Sequence, residues 1–291
     1  MTTLAAVDIG SNAIRIHICH LLEEPEKHSF KTLEYLRIPL RLGEDVFTTG
    51  LIGEGKKGKL VKLGQSLSLL FELYGVDRYL CCATSAMREA KNRQEVVEAV
   101  RSGSGFEIQI IEGEREAEWT NLGLQAFLGD GCWLHVDVGG GSTEINLYLN
   151  REKVASHSFR IGAVRIMMKE DTSAAYQELV EWIKQQILYW GHDMPVTSLG
   201  TGGNIAKIHQ MTHLKDHESI SLDQIKACAE RVGSYTLEDR IRVLKLNPDR
   251  ADVLLPSSSL YIAVMETAGS VQMFVPKVGL TDGMLEILRT T

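Results

Sequence analysis

The stretch HVDVGGGSTEINLYL, His135–Leu149, decides how the rest of the chain is read. An apolar run ends in Asp137 and meets Gly139, Gly140 and Gly141; Ser142, Thr143 and Glu144 follow before a second apolar run. Strand, glycine turn and strand make a hairpin whose tip has no side chains in the way, so an anion can reach the backbone N–H groups. The same design stands in AVDIGSNAIRIHICH, Ala6–His20. Asp137 follows Asp8, and Gly139 follows Gly10, by the same 129 residues. The chain thus carries two phosphate-hairpin candidates and reads as two halves built around them.

Working outward, the first half reads as two strands over 3–20 joined at Gly10–Asn12, a third over Ser29–Leu40, and a loop at DVFTTGLIGEG. Leu60, Leu63, Leu67, Leu70, Phe71 and Tyr74 recur at helical spacing and predict a helix over Gly55–Tyr74. Strand Asp77–Ala83, helix Ala86–Arg101, strand Phe106–Glu112 and helix Glu114–Leu128 follow. The second half repeats the three-strand start with Cys132–Val138, Glu144–Leu149 and Lys153–Arg160. Helix Ala174–Trp190, strand Val196–Leu199, the turn Gly200–Asn204 and a helix from Ile205 come next. The remainder is read as helices Leu222–Tyr235, Leu237–Leu244 and Asp249–Ala268, the last kinked or broken by Pro256. Strand Val271–Val275 and a helix Asp282–Leu288 capped by Thr281 close the chain. Mixed sheets flanked by helices, in two copies, define an α/β class.

A length of 291 residues leaves room for about two domains, and 44% hydrophobic residues supply their cores. The net charge of −7 argues against nucleic acid as the main partner, though amides, arginines and a cation can still make a locally positive site. MTTLAAVDIGSN lacks a basic start and a long apolar run, so neither a signal peptide nor a membrane partner is expected. Cys19, Cys81, Cys82, Cys132 and Cys228 have no metal spacing and read as buried free thiols of a cytoplasmic protein.

Ser11, Asn12, Ser142 and Thr143 add polar groups at the two tips. Asp8 and Asp137, at strand ends, suit a magnesium ion held directly or through its waters; capping the turn backbone is the other reading. Lys56, Lys57, Lys59 and Lys62 read either as a solvated face or as a guide for a polyanion. Glu116, one of four acids in IEGEREAE at a helix start, reads by itself as dipole compensation.

The segments VDIGSNAIRI, ATSAMREAKN, IEGEREAEWTNLG, VDVGGGSTEI, SLGTGGN and NPDRADVL occur here in an order that resembles the exopolyphosphatase/guanosine pentaphosphatase (Ppx/GppA) family. The resemblance implies a duplicated actin-like (ASKHA, ribonuclease H-like) fold, with lobes at about 1–120 and 121–291 and the closing helix, 282–291, packing back on the first. It also implies divalent-metal-dependent hydrolysis of phosphoanhydride bonds in the cleft between lobes, with polyphosphate or guanosine pentaphosphate as substrate. Glu116 would orient or deprotonate the attacking water. Arg15 and Arg88 would meet phosphate oxygens, although by residue type alone either serves equally in an ion pair. Gly10, Ser11, Asn12, Ser85, Gly139, Gly140, Gly141, Ser142, Thr143, Gly202 and Gly203 match the phosphate-binding turns, and Asp8, Asp137 and Glu144 the metal side. Arg115, Asn204, Thr281, Asp282 and Ser257–Ser259 depart from the family pattern. The chain resembles the short form without the added helical HD-type domain, and its apolar second-half helices suit a homodimer. A kinase of the same fold and a non-catalytic alarmone sensor are the rival expectations.

Overall fold

A computed structural model describes residues 2–24, 27–191 and 194–291. The chain divides into two compact units, residues 1–123 with 280–291, and residues 124–279. The sequence reading sets the boundary at 120/121.

The first unit holds β1 (Thr2–Ile9), β2 (Ile14–Glu24), β3 (Lys27–Ile38), β4 (Arg78–Ala83) and β5 (Gln109–Ile110), in the sheet order β3-β2-β1-β4-β5. The first three strands pair antiparallel, and β4 lies parallel to β1 on its other edge. Being central, β1 is covered on both faces, which explains why its sequence is apolar nearly without alternation. Ala5, Val7 and Ile9 face the helices Glu54–Tyr74 and Arg93–Ser104 through Leu60, Leu67, Phe71, Val96 and Val100. Leu4 and Ala6 face the other way, where Cys82 and four residues of the closing helix Leu280–Thr290 complete a second core: Leu280, Met284, Leu285 and Leu288.

The second unit repeats the plan with β6 (Cys132–Val138), β7 (Thr143–Leu149), β8 (Glu152–Phe159), β9 (Val196–Thr201), β10 (Ile220–Ser221) and β11 (Gln272–Phe274), ordered β10-β11-β9-β6-β7-β8. Again three antiparallel strands start the sheet, and a later strand, β9, lies parallel to the first. The repeat reaches individual hydrogen bonds. Gly10 N–H donates to Ala13 O at 3.2 Å, and Gly139 N–H donates to Ser142 O at 2.9 Å.

Several expected elements differ. Part of the expected loop after β3 is the helix Leu42–Thr49, with Leu42 and Val46 buried on one side and Gly50 ending it at φ 77°. The expected helix over 86–101 is two helices, Ser85–Glu89 and Arg93–Ser104. Between them Asn92 uses its side chain on both backbone groups of Ile52, accepting from N–H at 3.0 Å and donating to the carbonyl at 2.9 Å. Phe106–Glu112 pairs only at β5. The helix expected through Trp190 ends at Gln186 and continues as a π turn, Ile187–Gly191. Pro256 breaks nothing: the chain is already interrupted at Asp252–Val253, and Pro256 sits in the first turn of Leu254–Ala268, where no N–H is needed. Thr281 lies inside the closing helix instead of capping it, and it is buried. All five cysteines are free and buried.

Candidate active site

Each unit carries a candidate site of its own, at the ends of β1 and β6. In the first, β1–β2 register sets Arg15 directly across from Asp8, and Arg15 Nη1 donates to Asp8 Oδ2 at 2.7 Å. The carboxylate is nearly buried and the guanidinium about one-third exposed. The tip is held by its neighbours. Ser11 O accepts from Gly43 N–H at 2.8 Å, Asn12 O accepts from Arg41 N–H at 2.9 Å, and Ser11 Oγ accepts from Ala86 N–H at 3.2 Å. Ser11 therefore acts first as a brace, with its hydroxyl proton still available to donate. Ser85 is buried as well, and its Oγ has no hydrogen-bond partner among the described residues.

Glu116 lies in the first turn of Gly113–Leu124. Its neighbours Glu114, Arg115 and Glu118 are exposed, whereas the Glu116 side chain is only 16% exposed. Arg88 Nη1 is 3.5 Å from Glu116 Oε2 and is itself fixed by donating to Ile111 O at 2.7 Å. The Cys82 thiol reports on the grouping: burial raises its pKa most, then Asp8, Cys81 and Glu116 raise it further. The first unit thus holds two carboxylate–guanidinium pairs, Asp8 with Arg15 and Glu116 with Arg88.

In the second unit, Asp137 faces Glu144 across β6–β7, at the register position that Asp8 and Arg15 occupy in β1–β2. Glu144 is buried and accepts from Ser158 Oγ at 2.9 Å. Asp137 Oδ2 accepts from Thr201 Oγ1 at 2.9 Å. The glycine turn is oriented by its carbonyls. Gly139 O accepts from Ala163 N–H at 3.0 Å, Gly140 O from Val164 N–H at 2.9 Å, and Gly141 O from Arg165 Nε at 2.5 Å. In a trans peptide the C=O and the next N–H point opposite ways, so the amides of Gly140, Gly141 and Ser142 are all turned away from the 163–165 segment. Three successive amides turned out of one turn make an anion-binding concavity. Thr143 departs from the sequence reading in its side chain: it is fully buried, and its hydroxyl donates to Ile161 O at 2.6 Å, so that hydroxyl is not offered to a phosphate.

Gly202 ends β9 at φ 92°, and a Cβ there would stand 2.6 Å from Asp137 Oδ1, so only glycine fits. Gly203 O accepts from the Arg250 guanidinium. The sequence reading misses the supporting residues. Arg165 is fully buried between Gly141 O and both oxygens of Glu170, at 3.0 and 2.8 Å. Tyr261 accepts from Val138 N–H at 3.2 Å and donates to Thr201 O at 2.9 Å, tying the ends of β6 and β9. His135 lies beneath Asp137 on the same strand, where burial pushes its pKa down to about 3. Only His135 carries an early signal, two residues before Asp137; Arg165 and Tyr261 lie 24 and 60 residues from the groups they brace.

Among the described residues no group of three or more His, Cys, Asp and Glu forms a metal cage. Magnesium rarely uses one; it takes one or two carboxylates, several waters and the substrate's phosphates. Asp137 and Glu144, opposed on one sheet face and offering hard oxygens, fit that need, whereas Asp8 is already paired with Arg15. The lysine cluster splits. Lys56 binds Asp45 at 2.8 Å and Lys57 binds Glu54 at 2.6 Å, while Lys59 and Lys62 are exposed. No helix among the described residues is long and apolar enough to cross a membrane.

Comparison with known proteins adds the context. The model of the Ppx/GppA phosphatase family matches residues 22–289. Exopolyphosphatase 1 of Mycobacterium tuberculosis is 29% identical over 166 residues, covering 56% of this chain and 47% of that relative, so the match spans about half of that relative's length. Exopolyphosphatase 2 of the same species is 28% identical over 318 residues, covering 98% of both chains. Among solved structures, an exopolyphosphatase from Cytophaga hutchinsonii is similar at a TM-score of 0.85 with 19% identity, covering 99% of this chain and 97% of its own. The Ppx/GppA family member of Aquifex aeolicus gives 0.75 with 23% identity, covering 100% of this chain and 99% of its own. Both likenesses speak to fold, which is the duplicated actin-like arrangement of mixed sheets expected from the sequence.

Proposed function

Because the chain belongs to the Ppx/GppA phosphatase family, we propose that it is a magnesium-dependent phosphohydrolase that removes the terminal phosphate of inorganic polyphosphate, with guanosine pentaphosphate as the second substrate to test. The observation that carries this reading is the Gly139–Gly141 turn, whose amides are turned outward beside the Asp137–Glu144 pair. Amides would hold phosphate oxygens while the two carboxylates hold the metal side. A bound magnesium ion supplies charge neutralisation on the phosphate oxygens.

Phosphoryl transfer asks a protein mainly for positioning and charge stabilisation. In the proposed step Glu116 orients a water and accepts its proton as the oxygen attacks the terminal phosphorus. The bond to the bridging oxygen breaks, and its electron pair leaves with the shortened chain. Arg88, fixed 3.5 Å from Glu116, is placed to meet the charge that develops. Ser85, whose buried hydroxyl has no protein partner among the described residues, is a donor for a phosphate oxygen.

The test is phosphate release from polyphosphates of several lengths and from guanosine pentaphosphate, with and without magnesium. Hydrolysis by the wild type that disappears in Glu116→Gln while substrate binding persists supports the reading. Tight binding with no release by the wild type would leave a sensor instead, and phosphate transfer from ATP to a small acceptor would leave a kinase.

A further inference from the structure

Four hydrogen bonds in the second unit run head to tail, and all of them point at Asp137. A carboxylate only accepts, so Thr201 commits its single proton to Asp137 Oδ2, 2.9 Å away. The Thr201 oxygen must then accept from His135 Nε2 at 2.8 Å, which places the imidazole proton on Nε2. Nδ1 is left bare and accepts from Asn146 Nδ2 at 2.9 Å, and Asn146 Oδ1 accepts from Ser156 Oγ at 2.7 Å.

Register explains why the chain of bonds can form. His135, Asn146 and Ser156 stand side by side across β6, β7 and β8. Asp137, Glu144 and Ser158 form the next row on the same face, one pleat period along. His135 is 0% and Asn146 1% exposed. The face continues into an apolar layer of Trp133, Tyr148 and Leu199. An aliphatic residue at 135 would suit that layer without desolvating two ring nitrogens, so packing alone gives no reason for a histidine.

We propose that His135 is a positioning residue: acting through Thr201, it holds the Asp137 carboxylate, which stands beside Gly202, in the orientation in which it would serve the metal and phosphate side. The proposal rests on the reading of Asp137 as a metal-side ligand.

The first test needs no substrate. Nitrogen NMR of the full chain with labelled histidine should show His135 as the Nε2–H tautomer with Nδ1 bare; an Nδ1–H tautomer overturns the proposal. In His135→Phe, affinity for Mg2+ alone, measured by calorimetry, should weaken by about 10–100-fold, the range for losing a residue that orients a metal ligand. The kcat on polyphosphate should fall by a similar factor while KM stays within about twofold. His135→Gln, whose amide N–H can still reach Thr201, should recover most of both. A folded His135→Phe with wild-type Mg2+ affinity and kcat overturns the proposal. Thr201→Val provides the same test where His135→Phe does not fold, because it deletes only the middle hydroxyl; unchanged Mg2+ affinity there overturns it equally. A wild type with the expected tautomer and Mg2+ affinity but no phosphate release sinks the hydrolase reading and leaves the network standing.

Discussion

Arg15 donates to Asp8 at 2.7 Å across the first hairpin, at the register position where the second hairpin opposes Glu144 to Asp137. The duplicated hairpins have therefore diverged in charge. One presents a carboxylate already matched by a guanidinium, and the other presents two carboxylates. Opposed like charges destabilise a strand pair unless a cation joins them.

Magnesium affinity should divide along that line. Asp137→Asn and Glu144→Gln are expected to weaken binding of Mg2+ alone at least about tenfold, or ~1.4 kcal/mol, with Asp8→Asn close to wild type. Calorimetry on the three variants checks it. Equal losses in all three would mean that Asp8 is a ligand as well and that its Arg15 pair opens on binding.

Arg165→Met should destabilise the fold by about 3 kcal/mol, because it takes the buried guanidinium from the partly buried Glu170 carboxylate and leaves Gly141 O unsatisfied. Glu170 keeps Arg160 at 2.5 Å, which holds the loss at the lower end. Urea unfolding measures this. Since Arg165 turns the glycine carbonyls inward, KM for polyphosphate should rise in the same variant; an unchanged KM would detach the turn's orientation from phosphate binding.

Burial holds the pKa of His135 at about 3, against 6.5 for an ordinary histidine. Below pH 6.5 the unfolded chain takes up a proton that the folded chain refuses. The stability from this site is therefore complete above about pH 6.5 and falls as pH drops toward 3, by up to ~1.4 kcal/mol per pH unit. His17, also lowered by burial, adds a contribution of the same sign. Urea midpoints from pH 7.5 to 5 should fall less steeply in His135→Gln than in the wild type. Parallel curves would contradict the depressed value.

The five thiols should be inert in the folded protein. Burial raises the pKa of each; Cys19, for example, is pushed to about 12, with Asp282 adding to the effect of burial. A thiolate is the reacting species, so a chromogenic disulfide reagent should score none in native buffer and all five in denaturant. Rapid native labelling of Cys82 would show that the closing helix lifts from β4.

Sequence alone exposes the hairpins because both signals are local: alternation or continuous apolarity for the strands, and glycine between them. Glu116 is legible only through resemblance, since four acids in a row look alike until folding exposes three of the positions around it and covers one. Asn92 parts two helices by bonding Ile52, Arg165 braces Gly141, and His135 reaches Asp137 through Thr201. Each partner lies tens of residues away, where no periodicity connects the two. Thr143 shows the opposite error. Its position beside a glycine turn suggests a ligand, but the pleat sends its side chain to the face away from Asp137 and Glu144.

The closing helix has a consequence for synthesis. Four residues near the end of the chain complete the core under Leu4, Ala6 and Cys82, whereas the second unit is contained within residues 124–279. The unit whose residues begin first therefore finishes last. A chain arrested on the ribosome with residue 279 just emerged should hold a protease-resistant 124–279 unit next to an N-terminal half still open to cleavage. Emergence of residues 280–291 should then close that half in one step.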